Sequence, residues 1–142
     1  MIPPLANLLA AAARSRPHIH RTPTLRSQAL SRLAGHEVYL KAEMLQRTGS
    51  FKPRGMINKL LTLSPEERGR GAITFSAGNM AQGLAFAAAI ARMKSVVVMP
   101  AAASRIKAEA TRGYGAEVIL YGDVSQSHAH CLALVERHNY TF

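Results

Sequence analysis

Two stretches of this 142-residue chain hold residues whose types and spacing could do chemistry: Ser50-Phe51-Lys52-Pro53-Arg54-Gly55 and Ser76-Ala77-Gly78-Asn79-Met80-Ala81-Gln82-Gly83. Pro53 suits the first position of a helix, where its missing N–H would have no intrahelical partner. The residue before a proline is pushed out of the helical region, so Lys52 is expected at the cap, its side chain leaving the helix end at a fixed angle. An amine held there can form an imine with a carbonyl and afterwards accept a proton. Ser76 to Asn79 falls at a predicted strand-to-helix turn, where free N–H groups and the helix dipole favour a carboxylate or phosphate. Gly78 lets the backbone approach a ligand closely, and Ser76 and Asn79 add polar side chains. Taken singly, serine and asparagine before a helix are ordinary caps, and a lone lysine is an ordinary surface residue. Their joint occurrence reads as a Schiff-base lysine facing an anion cradle.

The elements that must position these residues follow from periodicity. Leu5 to Arg14 reads as a short helix, Pro17 to Pro23 as an irregular basic stretch, and Ser27 to Leu33 as a helix closed by Gly35. His36 to Ala42 alternates apolar and polar residues like a half-buried strand. From Pro53, Met56, Leu60 and Leu63 recur at helical spacing, and Ser64-Pro65-Glu66-Glu67 reads as a capping box for one further short helix. Beyond residue 71 strands and helices alternate: strands 72–76, 95–99 and 116–121, helices 79–92, 104–112 and 124–138. The spacing leaves room for a helical crossover each time, and Val96-Val97-Val98-Met99 is continuously apolar, as in a strand covered on both faces. The fold class expected is α/β, an open parallel sheet with helices on both faces, whose ligands collect at the carboxyl ends of strands.

Composition excludes several classes. With 48% hydrophobic residues the chain can bury one core, and Cys131, its only cysteine, allows no internal disulfide, which suits a reducing, cytoplasmic compartment. The longest apolar run, Gly83 to Ala91, is too short to span a bilayer, so no membrane partner is expected. The net charge of +10 raises the question of nucleic acid. Residues 1–70 hold 12 basic and 4 acidic residues, but the arginines are scattered, without a long run or interleaved aromatics. That pattern argues against a nucleic-acid platform and for a solvated face or an acidic partner surface. His128, His130 and Cys131 invite a metal reading, but residues two apart on one helix point apart, so no metal site is expected.

Lys41-Ala42-Glu43 with Leu45-Gln46, then Thr48-Gly49-Ser50-Phe51-Lys52-Pro53-Arg54-Gly55, resembles the lysine segment of the threonine dehydratase and serine racemase branch of the fold-type II pyridoxal-phosphate enzymes. Ser76-Ala77-Gly78-Asn79 with Ala81-Gln82-Gly83 resembles that branch's substrate-carboxylate loop, and Met99-Pro100, Lys107, Ala110-Thr111-Arg112 and Tyr114-Gly115-Ala116-Glu117-Val118 resemble its next segment. The likeness implies pyridoxal 5'-phosphate as cofactor, Lys52 as the lysine that binds it covalently and acts as base, and Phe51 along one face of its ring. It implies Asn79 on the phenolic oxygen, and Ser76 with the backbone of Gly78 to Gln82 on the substrate carboxylate. The reaction implied is α,β-elimination from threonine or serine, with serine racemization, hydroxyaspartate dehydration or a non-catalytic anion-binding module as alternatives.

Relatives outside the branch differ at these motifs: cysteine synthase-like members place a valine and an aspartate around the lysine, and threonine synthases follow the lysine with aspartate. Ala77 stands where racemases of the branch carry a serine that acts as second acid/base, which favours elimination. Met80 stands where a histidine is usual, removing a polar group beside the loop. Family members run to about twice this length, their later half supplying the glycine-rich phosphate loop and the partner of the pyridine nitrogen. The chain is therefore expected to be a fragment that binds the cofactor weakly and does not turn over by itself. Residues 1–56 would open the larger cofactor-binding domain, 57–138 form the smaller domain, and 139–142 begin the return. The full-length enzyme is expected to act on a small amino acid as a homo-oligomer.

Overall fold

Val96, Val97, Val98 and Met99 are all buried, because the strand they form is enclosed on both sides. In the computed structural model, which describes residues 2–142, β4 (Ser95–Met99) lies between β3 (Ala72–Phe75) and β5 (Glu117–Leu120), parallel to both. Alternate side chains of a strand point to opposite faces. Ala72, Val97 and Met99 accordingly join the core formed with α3 (Lys52–Thr62), α5 (Asn79–Ala91) and α6 (Arg105–Gly113). Ile73, Val96 and Val98 pack instead with Cys131, Leu134 and Val135 of α7 (Val124–His138). Helices thus cover both faces of a parallel sheet, as the alternation of elements requires.

After α7 the chain returns to the far side of β3 from β4, where Thr141 bridges Ala72 in parallel. The amide of Ile73 donates to the Thr141 carbonyl and that of Thr141 to the Gly71 carbonyl, each at 2.9 Å. Strand order therefore reverses beside β3, and the crevice outside the carboxyl end of that strand is where such sheets bind ligands. Ser76 is the first residue beyond β3.

Local capping follows the sequence closely. Ser27 caps α2 (Gln28–Ala34), which stops at Gly35 with φ 72. Ser64 and Glu67 close a reciprocal capping box on α4 (Pro65–Arg70), and Asp123 and Gln126 close another on α7. α1 (Leu5–Ser15) is followed by a 3₁₀ turn at Arg16–His18.

Three details depart from the sequence reading. Lys52 is the first residue of α3 rather than a cap, with Phe51 in the helical region at the N-cap and Pro53 one place further in. Within α3 the buried residues are Pro53, Ile57 and Leu60, and Met56 of the expected stripe is only half-buried against the same core. Thr24–Arg26, where periodicity predicts no element, forms β1 and pairs antiparallel with β2 (Tyr39–Lys41), Thr24 opposite Lys41. β1 has three exposed residues, too few for a period-two pattern to emerge, whereas β2 lies inside the expected strand 36–42 but is shorter and exposed throughout rather than half-buried, because β1 is its sole strand partner and nothing covers either face. No helix among the described residues is long and apolar enough to cross a membrane.

Candidate active site

α5 is apolar nearly all round, with Ala81, Leu84, Ala85, Ala87 and Ala88 buried, so its first turn is held rigidly at the end of β3. The N-cap residue is Gly78, and no side chain caps this helix. Ser76 turns inward instead: its amide donates to the Val98 carbonyl at 3.1 Å and its hydroxyl accepts the Gly78 N–H at 3.2 Å. Asn79 is exposed at the helix start, and Gln82 is half-buried. The ordinary reading of Ser76 and Asn79, as caps, therefore does not hold. The first-turn N–H groups of α5 are left without protein acceptors, at the positive end of the helix dipole.

Lys52 approaches the helix that follows this turn at Gly83. A β-carbon built on Gly83 would stand 2.9 Å from Lys52 Cβ and 3.4 Å from the Lys52 carbonyl carbon. Only a residue without a side chain lets α3 begin so close to α5. Gly83 and Asn79 are four residues apart on one helix face, separated by about 6 Å of rise. The Lys52 side chain thus starts about one helical turn from the uncapped N–H groups. Glycine inside a helix of alanines costs about 1 kcal/mol relative to alanine, and that misfit was the signal in the sequence for this contact.

Lys52 is half-buried, makes no ion pair with a carboxylate among the described residues, and places Nζ 5.1 Å from the centroid of the Phe51 ring. Phe51 is 59% exposed, so an aromatic face stands open beside the amine. The loop leading in is anchored by buried Ser50, whose hydroxyl accepts the Lys52 N–H at 3.4 Å. Thr48 Oγ1, two residues earlier, is buried without a hydrogen-bond partner.

Reasoning from sequence passed over a second support. Arg54 donates through Nε and Nη2 to the two oxygens of Glu43, both at 2.8 Å, and Thr22 Oγ1 donates to Glu43 Oε1 at 2.5 Å. The Arg54 guanidinium holds the Glu43 carboxyl well below the usual range, at about 2, aided by the Thr22 hydroxyl and the Lys41 charge and opposed by burial. The pair ties the first turn of α3 to the 3₁₀ turn at Glu43–Leu45. His128 lies edge-on to Phe75 and His130 stacks on Tyr121, so the two histidines serve different contacts.

A parallel sheet thus presents an amine, an open aromatic ring and an uncapped helix end near its switch point. Residues 15–142 match the family described as pyridoxal-phosphate dependent enzyme, and the chain belongs to that family. It is 51% identical over 106 residues, 75% of this chain, to an L-threonine ammonia-lyase of Thermotoga maritima, and covers 26% of that protein. It is 40% identical over 121 residues, 85% of this chain, to an L-threo-3-hydroxyaspartate ammonia-lyase of Saccharomyces cerevisiae, and covers 37% of it. The crystal structure of a serine racemase from Dictyostelium discoideum superposes with a TM-score of 0.86 and 37% identity over 96% of this chain, which covers 45% of it. The chain thus spans less than half the length of each of these relatives.

The residues present fit the cofactor of this family. The amine of Lys52, half-buried and without a carboxylate partner among the described residues, suits its aldehyde, and the exposed ring of Phe51 stands beside it.

Proposed function

We propose that the protein is a pyridoxal-phosphate-dependent ammonia-lyase that eliminates the β-hydroxyl of threonine or serine to yield a 2-oxo acid and ammonia. The observation that carries this reading is the contact of Lys52 with Gly83, one helical turn from the uncapped N–H groups of α5. When bound, the cofactor supplies the electron sink that lets the substrate Cα–H bond break.

The residues of the chain divide the remaining tasks. The first-turn amides of α5, with Ser76, Gly78 and Gln82, would grip the substrate carboxylate, because free N–H groups at a dipole's positive end favour an anion. Asn79 would fix the cofactor's phenolic oxygen and Phe51 one face of its ring. Lys52 would hold the cofactor and, once released by the substrate amine, take the Cα proton on Nζ. Ala77 carries no group able to give or take a proton on the opposite face, which supports elimination over racemization. The similarity to an L-threo-3-hydroxyaspartate ammonia-lyase favours hydroxyaspartate as the second candidate substrate.

Residues 57–138 would form the smaller domain, with 1–56 and 139–142 belonging to the larger cofactor-binding domain. Leu5 and Leu9 of α1, and Leu25 and Leu40 of β1 and β2, are exposed, which supports their burial against further protein, as in a homo-oligomer of the whole enzyme. The unpaired, buried Cys131 is consistent with a cytoplasmic setting.

The test is chemical trapping. Incubation with pyridoxal phosphate, reduction with borohydride and peptide mapping is expected to leave the pyridoxyl group on Lys52 alone, and Lys52→Ala to abolish it. A label on another lysine would overturn the site.

A further inference from the structure

A second positive site lies on the other side of α3. Between the end of α1, the chain at His20–Arg21, β2 and the first turn of α3 is a cleft of about 560 Å³ lined by Ser15, Arg16, His20, Arg21, Lys41 and Arg54. No acidic residue lines it. The nearby carboxylate, Glu43, is committed to Arg54 through both oxygens. Lys41 Nζ donates to the Thr22 carbonyl, which orients the ammonium without cancelling its charge. Arg16, Arg21 and Lys41 pair with no carboxylate among the described residues.

The backbone that carries these cations is fixed. The buried Gln46 side chain accepts the His20 N–H at 2.8 Å and donates to the His20 carbonyl at 3.0 Å. His20 Nδ1 lies 3.2 Å from the Leu45 carbonyl. Arg16 and Arg21 without carboxylate partners, and Lys41 offset only in part by the Glu43 charge, repel one another around one cleft, and an anion with several charges would reverse that cost. Guanidinium forks match the oxygens of phosphate, and the volume lies within the range of small-molecule sites.

We infer that this cleft binds a polyvalent oxyanion of the phosphate class, as a free ion or as the phosphate end of a larger molecule. It is separate from the Lys52 site, because Lys52 and Arg54 are two residues apart on one helix and face different sides: Lys52 meets α5, and Arg54 meets Glu43. An anion here joins the end of α1 to β2 and to the turn of α3 that carries Lys52. The site does not depend on the reaction proposed above.

Calorimetric titration of the 142-residue chain with inorganic pyrophosphate tests the inference, beside fructose 1,6-bisphosphate, citrate and a polyglutamate peptide. One pyrophosphate is expected per chain, with a higher melting temperature in its presence. Affinity should fall at least about tenfold in the Arg16→Ala/Arg21→Ala double variant, and again on raising KCl to about 0.5 M. Both arginines are exposed, so the double variant keeps its core, which circular dichroism checks. Lys52→Ala should bind pyrophosphate as tightly as the native chain. Equal affinity for the bisphosphate would support recognition of the phosphate groups alone, and tighter binding an organic phosphate. Absence of binding, indifference to the double variant, or loss in Lys52→Ala would overturn the inference. Citrate binding equal to pyrophosphate would overturn the phosphate class, and binding of the peptide alone would make the cleft a protein dock.

Discussion

Glu43 governs how firmly the turn bearing Lys52 is held. Its carboxyl is held at about 2, against an ordinary 4.5, chiefly by the Arg54 guanidinium. A folded-state value below the unfolded one means that ionised Glu43 stabilises the fold above pH about 4.5, and that this contribution is lost as pH falls toward 2. A shift of this size corresponds at most to about 3 kcal/mol, reduced to about 2 because the Arg54 side chain is 37% exposed and partly screened. Urea unfolding from pH 6 to pH 2 should therefore show an acid-dependent loss of about 2 kcal/mol in the native chain that is absent in Glu43→Gln. Equal pH profiles for the two would remove Glu43 from this role.

At the scale of elements, the crossing of α3 and α5 depends on Gly83. Replacing it with alanine would gain about 1 kcal/mol of helix propensity. The new methyl group, however, would meet Lys52 Cβ at 2.9 Å, and the Lys52 backbone just behind it cannot yield as a side-chain tip would. Overpacking of this kind costs about 1–3 kcal/mol, so the net effect of Gly83→Ala is destabilising and moves Lys52 off the α5 turn. Borohydride trapping at Lys52 should drop sharply in this variant. Ala89→Gly is the control: it is exposed on the same helix, should cost about 1 kcal/mol through propensity, and should leave trapping unchanged. Trapping that fell equally in both variants would mean that helix stability, not the close approach, controls the lysine.

At the scale of the molecule, α7 closes the face of the sheet opposite the candidate site. Cys131 on this helix is fully buried against Ile73, Val96 and Val98, and burial pushes its thiol up from the ordinary range. Neither accessible nor thiolate-forming, it should react with a thiol reagent only when α7 leaves the sheet. Reaction in native buffer should be at least about 1,000-fold slower than in denaturant, and should quicken in step with any core variant that lowers global stability. Rapid labelling of the native chain would mean that α7 opens independently of the sheet.

Much of the architecture was legible because it rests on short-range physics. The Ser64 and Glu67 box, the glycine stop at Gly35, the buried run Val96 to Met99 and the alternation of strands and helices each depend on hydrogen bonds or periodicities within a few residues. The three-residue strand β1 was too short for that reasoning, the exposure of β2 depended on what covers it, and the exact start of α3 depended on how Phe51 and Lys52 are held from outside. The sequence by itself determined which residues have the chemistry: an amine at Lys52, an aromatic neighbour at Phe51, a glycine and small polar groups at 76–82. Tertiary structure alone decided that Lys52 meets Gly83, that Ser76 turns away from capping α5, that Glu43 takes Arg54, and that Arg16, Arg21 and Lys41 surround one cleft. Those are contacts between segments distant along the chain or choices among hydrogen-bond partners, and only the packing of helices and loops around the core selects between them.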